Sequence, residues 1–114
     1  MSKECVFCKI VDKEIPADIV HASDHVIAFR DLAPKAPVHL LIIPKEHVDS
    51  MADLKEKHAH MLAEIFTAAA HLAKAEGIDG TGWRVISNVG PDSGQEVHHL
   101  HYHLLGGHRL GPLG

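Results

Sequence analysis

Between positions 98 and 105 the chain reads His98-His99-Leu100-His101-Tyr102-His103-Leu104-Leu105, with histidine at every second position from 99 to 103. Successive side chains of an extended strand alternate faces, so His99, His101 and His103 project from one side and Leu100, Tyr102 and Leu104 from the other. Residues two apart lie roughly 6.6 Å apart along a strand, close enough for the imidazoles to surround one small ligand, phosphate or metal. Imidazoles packed side by side resist simultaneous protonation, which points to bases, nucleophiles or ligands.

Two chemistries compete for this strand. A metal site would take two or three imidazole nitrogens at about 2.0–2.1 Å and keep a position open for water. A nucleophilic site would use one neutral imidazole to attack phosphorus in line, while its neighbours fix its tautomer and protonate the leaving group. The preceding loop, Val89-Gly90-Pro91-Asp92-Ser93-Gly94-Gln95, favours the second: Gly90 and Gly94 let the backbone approach an anion, and Asn88, Ser93 and Gln95 offer neutral donors to phosphate oxygens. A glycine-rich loop between strands is also simply a turn. The isolated histidines His21, His25, His58, His60, His71 and His108 read as ordinary surface or core side chains.

Cys5 and Cys8 are the only cysteines. With no signal-peptide pattern at the N-terminus the expected location is cytoplasmic, where C-x-x-C spacing reads as metal or redox chemistry before a structural disulfide. The plainer alternative is two small buried residues on a short helix.

The elements that must position these groups follow from periodicity. Glu4 to Val11 carries apolar residues on one helical face, and Pro16 stops it from running on. Ile19 to His21 and Val26 to Arg30 read as strands joined by a turn at Ser23-Asp24-His25. Asp31 to Pro37 is a loop, and Val38 to Ile43 a strand buried on both faces apart from His39. Asp53 to Glu76 has apolar residues at three- and four-residue spacing and reads as one long amphipathic helix, with a capping box at Asp53 and Glu56 and a stop at Gly77. Trp83 to Asn88 and about Val97 to Leu105 complete the strands. Sequence-adjacent strands around one long helix imply the α+β class, an antiparallel sheet with helices packed on it.

The 114 residues fit a single domain, with 106–114 as a Gly/Pro-rich tail, and at this size a partner subunit would help the core. Acidic residues outnumber basic ones 15 to 11, which weighs against nucleic-acid binding. The most apolar run, Val38 to Ile43, is too short for a membrane span.

The stretch His99-Leu100-His101-Tyr102-His103-Leu104-Leu105 resembles the histidine triad motif, His-φ-His-φ-His-φ-φ. Cys5-Val6-Phe7-Cys8-Lys9-Ile10, Glu14-Ile15-Pro16, Ala28-Phe29-Arg30-Asp31, Ala36-Pro37-Val38-His39, Ile43-Pro44-Lys45 and Gly94-Gln95-Glu96-Val97 are similar, in order, to stretches of the nucleotide-binding branch of that family. The resemblance implies a homodimer joining two five-stranded sheets, with the long helices meeting at the interface. It also implies a site for a purine nucleotide (AMP, GMP or their phosphoramidates) and hydrolysis of the P–N bond of nucleoside 5′-phosphoramidates through a nucleotidyl-histidine. Carried over by position, His101 is the nucleophile, His103 holds the phosphate and assists proton transfer, and His99 and His39 complete the relay. Asp31 receives the ribose hydroxyls; Phe7, Ile10, Phe29 and Leu32 wall the base; Asn88, Gly94, Gln95 and Glu96 lie toward the phosphate.

Many members have serine where this chain has Glu96; bacterial relatives resemble it there, and the difference leaves the preferred amine open. His98 replaces a more usual aromatic residue and should point away from the triad. Cys5, Cys8, His47 and His99 reproduce a set resembling the structural zinc site of some members; no cofactor is expected for catalysis. The alternatives are a nucleotide-binding scaffold with incidental turnover, a metal-dependent hydrolase using the three histidines as ligands, and a dinucleoside polyphosphate hydrolase of the sister branch. His103 argues against the last, which usually has glutamine there. Because the attacking imidazole must be neutral, activity should fall in acid.

Overall fold

The computed structural model describes residues 5–113. Their main elements are α1 (Val6–Val11), β1 (Ile19–Ala22), β2 (Val26–Arg30), β3 (Val38–Pro44), α2 (Ala59–Ala75), β4 (Trp83–Ile86) and β5 (Tyr102–Gly106). The strands form one antiparallel sheet in the order β1-β2-β3-β5-β4. This is the expected α+β architecture of five strands with one long and one short helix.

β3 lies centrally, and each of its residues is buried. Its alternation divides the core in two. Leu40 and Ile42, with Val26, Ala28, Tyr102 and Leu104, pack against Met61, Ile65, Ala69 and Leu72 of α2. Leu41 and Ile43, with Ile27 and Phe29, pack against Phe7, Cys8 and Ile10 of α1. The apolar stripe of α2 recurs at helical spacing, as the sequence period requires. The helix ends in a Schellman arrangement: Ile78 N–H donates to Ala73 O (2.9 Å) and Gly77 N–H to Lys74 O (3.1 Å), with Gly77 at φ +75°.

Several boundaries differ from expectation. α1 starts at Val6, with Cys5 Sγ accepting from Cys8 N–H at 3.3 Å; Glu4 lies outside the described residues. The expected helix from Asp53 is broken, because Leu54 is extended (ψ 144°) between 3-10 turns at Met51–Asp53 and Glu56–His58. Ser50, rather than Asp53, caps the first turn, and His58 Nδ1 accepts Lys55 N–H (2.9 Å) just before α2. β4 stops at Ile86, where the Ser87 hydroxyl takes over by donating to His101 O (2.7 Å).

The largest correction concerns β5, which begins at Tyr102 rather than Val97. Continuing the β3–β5 ladder would bring His101 and Leu100 beside the end of β3, where Pro44 has no N–H to donate. Leu100 N–H instead goes to Val48 O (2.6 Å), and Pro44 O accepts from the His99 ring. Gly106, expected to open the tail, is the last residue of β5, opposite Val38 and Trp83.

Candidate active site

The alternation read from the sequence survives the shortened strand. Leu100, Tyr102 and Leu104 enter the α2-side core. His99 and His101 face α1, where the Phe7 ring meets them edge-on at centroid distances of 5.9 and 5.1 Å. His103 pairs with Leu41 in the ladder and shares a face with His39.

Hydrogen-bond partners assign the ring nitrogens. His101 Nδ1 lies 2.7 Å from His99 O, a carbonyl that can only accept, so Nδ1 carries the proton and Nε2 keeps its lone pair. Lys35 N–H donates to His39 Nδ1 (3.0 Å), so the proton of neutral His39 sits on Nε2, 2.9 Å from His103 Nδ1. His103 therefore carries its own proton on Nε2. The His101 and His103 ring centroids lie 5.0 Å apart, so a ring with a free Nε2 lone pair neighbours one that carries its proton on Nε2. Asp31 Oδ2 is 3.4 Å from His39 Nε2, and its Oδ1 accepts Ala33 N–H (2.8 Å).

Burial dominates the electrostatics. It pushes His103 down to about 4, helped by His101 and His39, and it lowers His39 against the opposing pull of Asp31. His99, fully buried, is likewise lowered to about 4. At neutral pH these three rings are uncharged.

Two hollows meet at Asp31. One of about 230 Å³ is lined by Phe7, Ile10, Phe29, Leu32 and Leu41, with Leu32 98% exposed at its rim. The other, about 440 Å³, is lined by His39, His103, Asn88 and Glu96 among others. Asp31 borders both. The polar side chains of the loop are largely engaged within it. Gln95 accepts Gly90 N–H and donates to Asp49 O and Val97 O, while Asn88 and Ser93 donate to Ser93 O and Gly90 O. Gly90 and Gly94 have φ of +81° and +88°, which is why the loop uses glycine there. His98 is exposed and borders a separate hollow beside Cys5, His47 and Glu96.

Cys5, Cys8, His47 and His99 converge, although His47 and His99 are far from the cysteines in sequence. Cys8 Sγ lies 3.2 Å from His47 Nδ1, and Cys5 and Cys8 Sγ lie 3.4 and 3.6 Å from His99 Nδ1. A tetrahedral zinc with two thiolates and two imidazoles has S···N edges of about 3.5 Å. Each histidine has its other nitrogen tied, His99 Nε2 to Pro44 O (2.8 Å) and His47 Nε2 to Asp49 Oδ1 (2.7 Å), which turns both Nδ1 lone pairs toward the sulfurs. The donor set fits zinc. His99 thus turns its ring away from the triad and serves His101 through its carbonyl. Among the described residues, His99, His101 and His103 do not form a ligand cluster with one another.

Sequence reasoning missed the groups that orient these rings: the Pro44 carbonyl, Lys35 N–H, Ser87 and Asp49. Only Asp49 left a signal, its place two residues from His47 in the sequence.

A family model described as "Scavenger mRNA decapping enzyme C-term binding" matches residues 4–111. The purine nucleoside phosphoramidase of Escherichia coli K12 is 47% identical over 113 residues, 99% of this chain and 95% of that protein. A 14 kDa zinc-binding protein of Brassica juncea is 40% identical over 109 residues, 94% of this chain and 96% of its own length. Among solved structures, a HIT family hydrolase from Clostridium thermocellum superposes with a TM-score of 0.95 at 47% identity, covering 98% of this chain and 97% of its own. With the alternating histidines gathered on one face of the sheet and full-length likeness to these proteins, the chain belongs to the histidine triad family and is a hydrolase.

Proposed function

We propose that the protein hydrolyses the P–N bond of purine nucleoside 5′-phosphoramidates through a nucleotidyl intermediate on His101. The observation that carries this reading is the hydrogen bond from His101 Nδ1 to His99 O, which leaves Nε2 unprotonated on a ring whose neighbour is that of His103. The phosphoramidase name of a relative 47% identical supports the substrate class.

His101 Nε2 attacks phosphorus as the P–N bond breaks; the N–H of neutral His103 hydrogen-bonds the phosphoryl group, and the departing amine takes its proton from solvent. Water then attacks the phosphorus of the nucleotidyl-histidine, loses a proton to solvent, and releases the nucleoside monophosphate with His101 free. His39 holds the His103 tautomer that this requires, and His99 fixes that of His101 through its carbonyl. Phe7, Ile10, Phe29 and Leu32 enclose the base, Asp31 receives the ribose, and Asn88, Gly94, Gln95 and Glu96 border the phosphate and leaving amine. Cys5, Cys8, His47 and His99 hold a structural zinc, which supplies no chemistry to the reaction. The working unit is a homodimer.

The test follows AMP release from adenosine 5′-phosphoramidate with EDTA present throughout. Wild type should turn over and His101→Ala should lose roughly 10³-fold or more in kcat. If both are inert while AMP still binds, the protein is a nucleotide-binding module and the hydrolytic reading fails.

A further inference from the structure

The seam between the β1–β2 hairpin and α2 carries a second histidine cluster that the hydrolytic site does not use. His60 and Glu64 are four residues apart on α2 and so share a face. His25, at the hairpin turn, faces them: its Nδ1 is 3.1 Å from Glu64 Oε1, and its ring centroid is 6.1 Å from that of His60. The ligand atoms of His25, His60 and Glu64 all lie within 4.8 Å of one another.

We propose that His25, His60 and Glu64 form a surface site for a divalent transition-metal ion, separate from the Cys/His cluster. A tetrahedral ion with donors at about 2.0–2.1 Å requires donor–donor edges of about 3.3 Å, close to the His25–Glu64 separation already present. Glu64 is held for this role. Its Oε2 accepts from the Ser23 hydroxyl and from His25 N–H (3.0 Å), leaving Oε1 for the ion. The hairpin itself is fixed by Ser23 N–H to Val26 O and Lys45 N–H to His25 O, both 2.8 Å. Entry of the ion displaces the proton that His25 Nδ1 shares with Glu64 and leaves one or more positions for water. Two imidazoles and a carboxylate suit Zn²⁺, Ni²⁺ or Co²⁺. β1 and β4 are opposite edges of the sheet, so a partner docked along β4 would leave the site open.

Tag-free protein, loaded with zinc and desalted to fill the Cys/His cluster, is titrated calorimetrically with Ni²⁺. Wild type should bind one further equivalent. His60→Gln, at an exposed position, should weaken it at least roughly tenfold, and Ser23→Ala should weaken it by less. The double variant His21→Gln/His71→Gln removes the neighbouring ring pair of the same seam, 6.2 Å apart, and should bind like wild type. Ni²⁺ should also raise the unfolding temperature of wild type and not of His60→Gln. No further equivalent, unchanged affinity in His60→Gln, or an equal loss in the double variant would overturn the proposal. None of these readouts depends on hydrolysis.

Discussion

Single side chains here are governed by which nitrogen carries the proton. A backbone carbonyl against His101 and a backbone N–H against His39 settle two tautomers, and the second sets that of His103. The same burial that keeps His103 and His39 neutral couples stability to pH. Their native proton affinities are depressed, so below about pH 6.5 the unfolded chain binds protons that the native state does not. The stability present above that value should be lost as pH falls toward about 4, the value for His103, which contributes on the order of 2 kcal/mol. Denaturant unfolding between pH 7 and pH 4.5 measures it: the wild-type midpoint should fall steadily, and His103→Gln should flatten the slope. An unchanged slope in that variant would remove His103 from the account.

At the scale of elements, α1 is only six residues long and would be marginal alone, yet it supplies Phe7 and Ile10 to the apolar hollow and, with its N-cap Cys5, places Cys8 in the Cys/His cluster. It is tied to the sheet at both places. Without a metal, burial and Cys5 push the Cys8 thiol up to about 11, so it would remain a buried neutral thiol. Protein purified without chelator should contain near one zinc per chain. Cys8→Ser should lose it and lower the melting temperature by on the order of 10 °C. Loosening α1 should raise KM for the nucleotide more than it lowers kcat, because the hydrogen bonds that set the His101 and His103 tautomers come from other elements. Absence of zinc by elemental analysis would leave the cluster as buried packing.

For the whole molecule, the sheet order leaves β4 as an edge, and the exposed aromatics Phe66 on α2 (49%) and Trp83 on β4 (39%) lie toward the β5–β4 side. Exposed aromatic area next to an unpaired strand edge suits association with a second copy. Light scattering should give about 25 kDa, twice the 12.4 kDa chain, and Trp83→Glu should shift the population toward the single chain. A monomer at micromolar concentration would remove the dimer from the proposed working unit. Among the described residues, no helix is long and apolar enough to cross a membrane.

Periodicity was enough to place the histidines and their leucine partners on opposite faces, because side-chain alternation depends only on local extended backbone. It also marked the strands, the long helix and its glycine stop, since burial periods and turn residues are local properties. Boundaries shifted where a local signal met a tertiary competitor: Pro44 cannot serve the ladder, so β5 starts late and His99 swings its ring to the Pro44 carbonyl. Spacing shows Cys5-x-x-Cys8 as a pair, but it cannot show that His47 and His99 arrive beside it. Nor can it show that His25, on a hairpin, meets His60 and Glu64, on a helix. Residues tens of positions apart are brought together by packing on the two faces of the sheet. The proton positions on His101 and His103 follow from backbone groups belonging to other segments, and those groups have no sequence signature of their own.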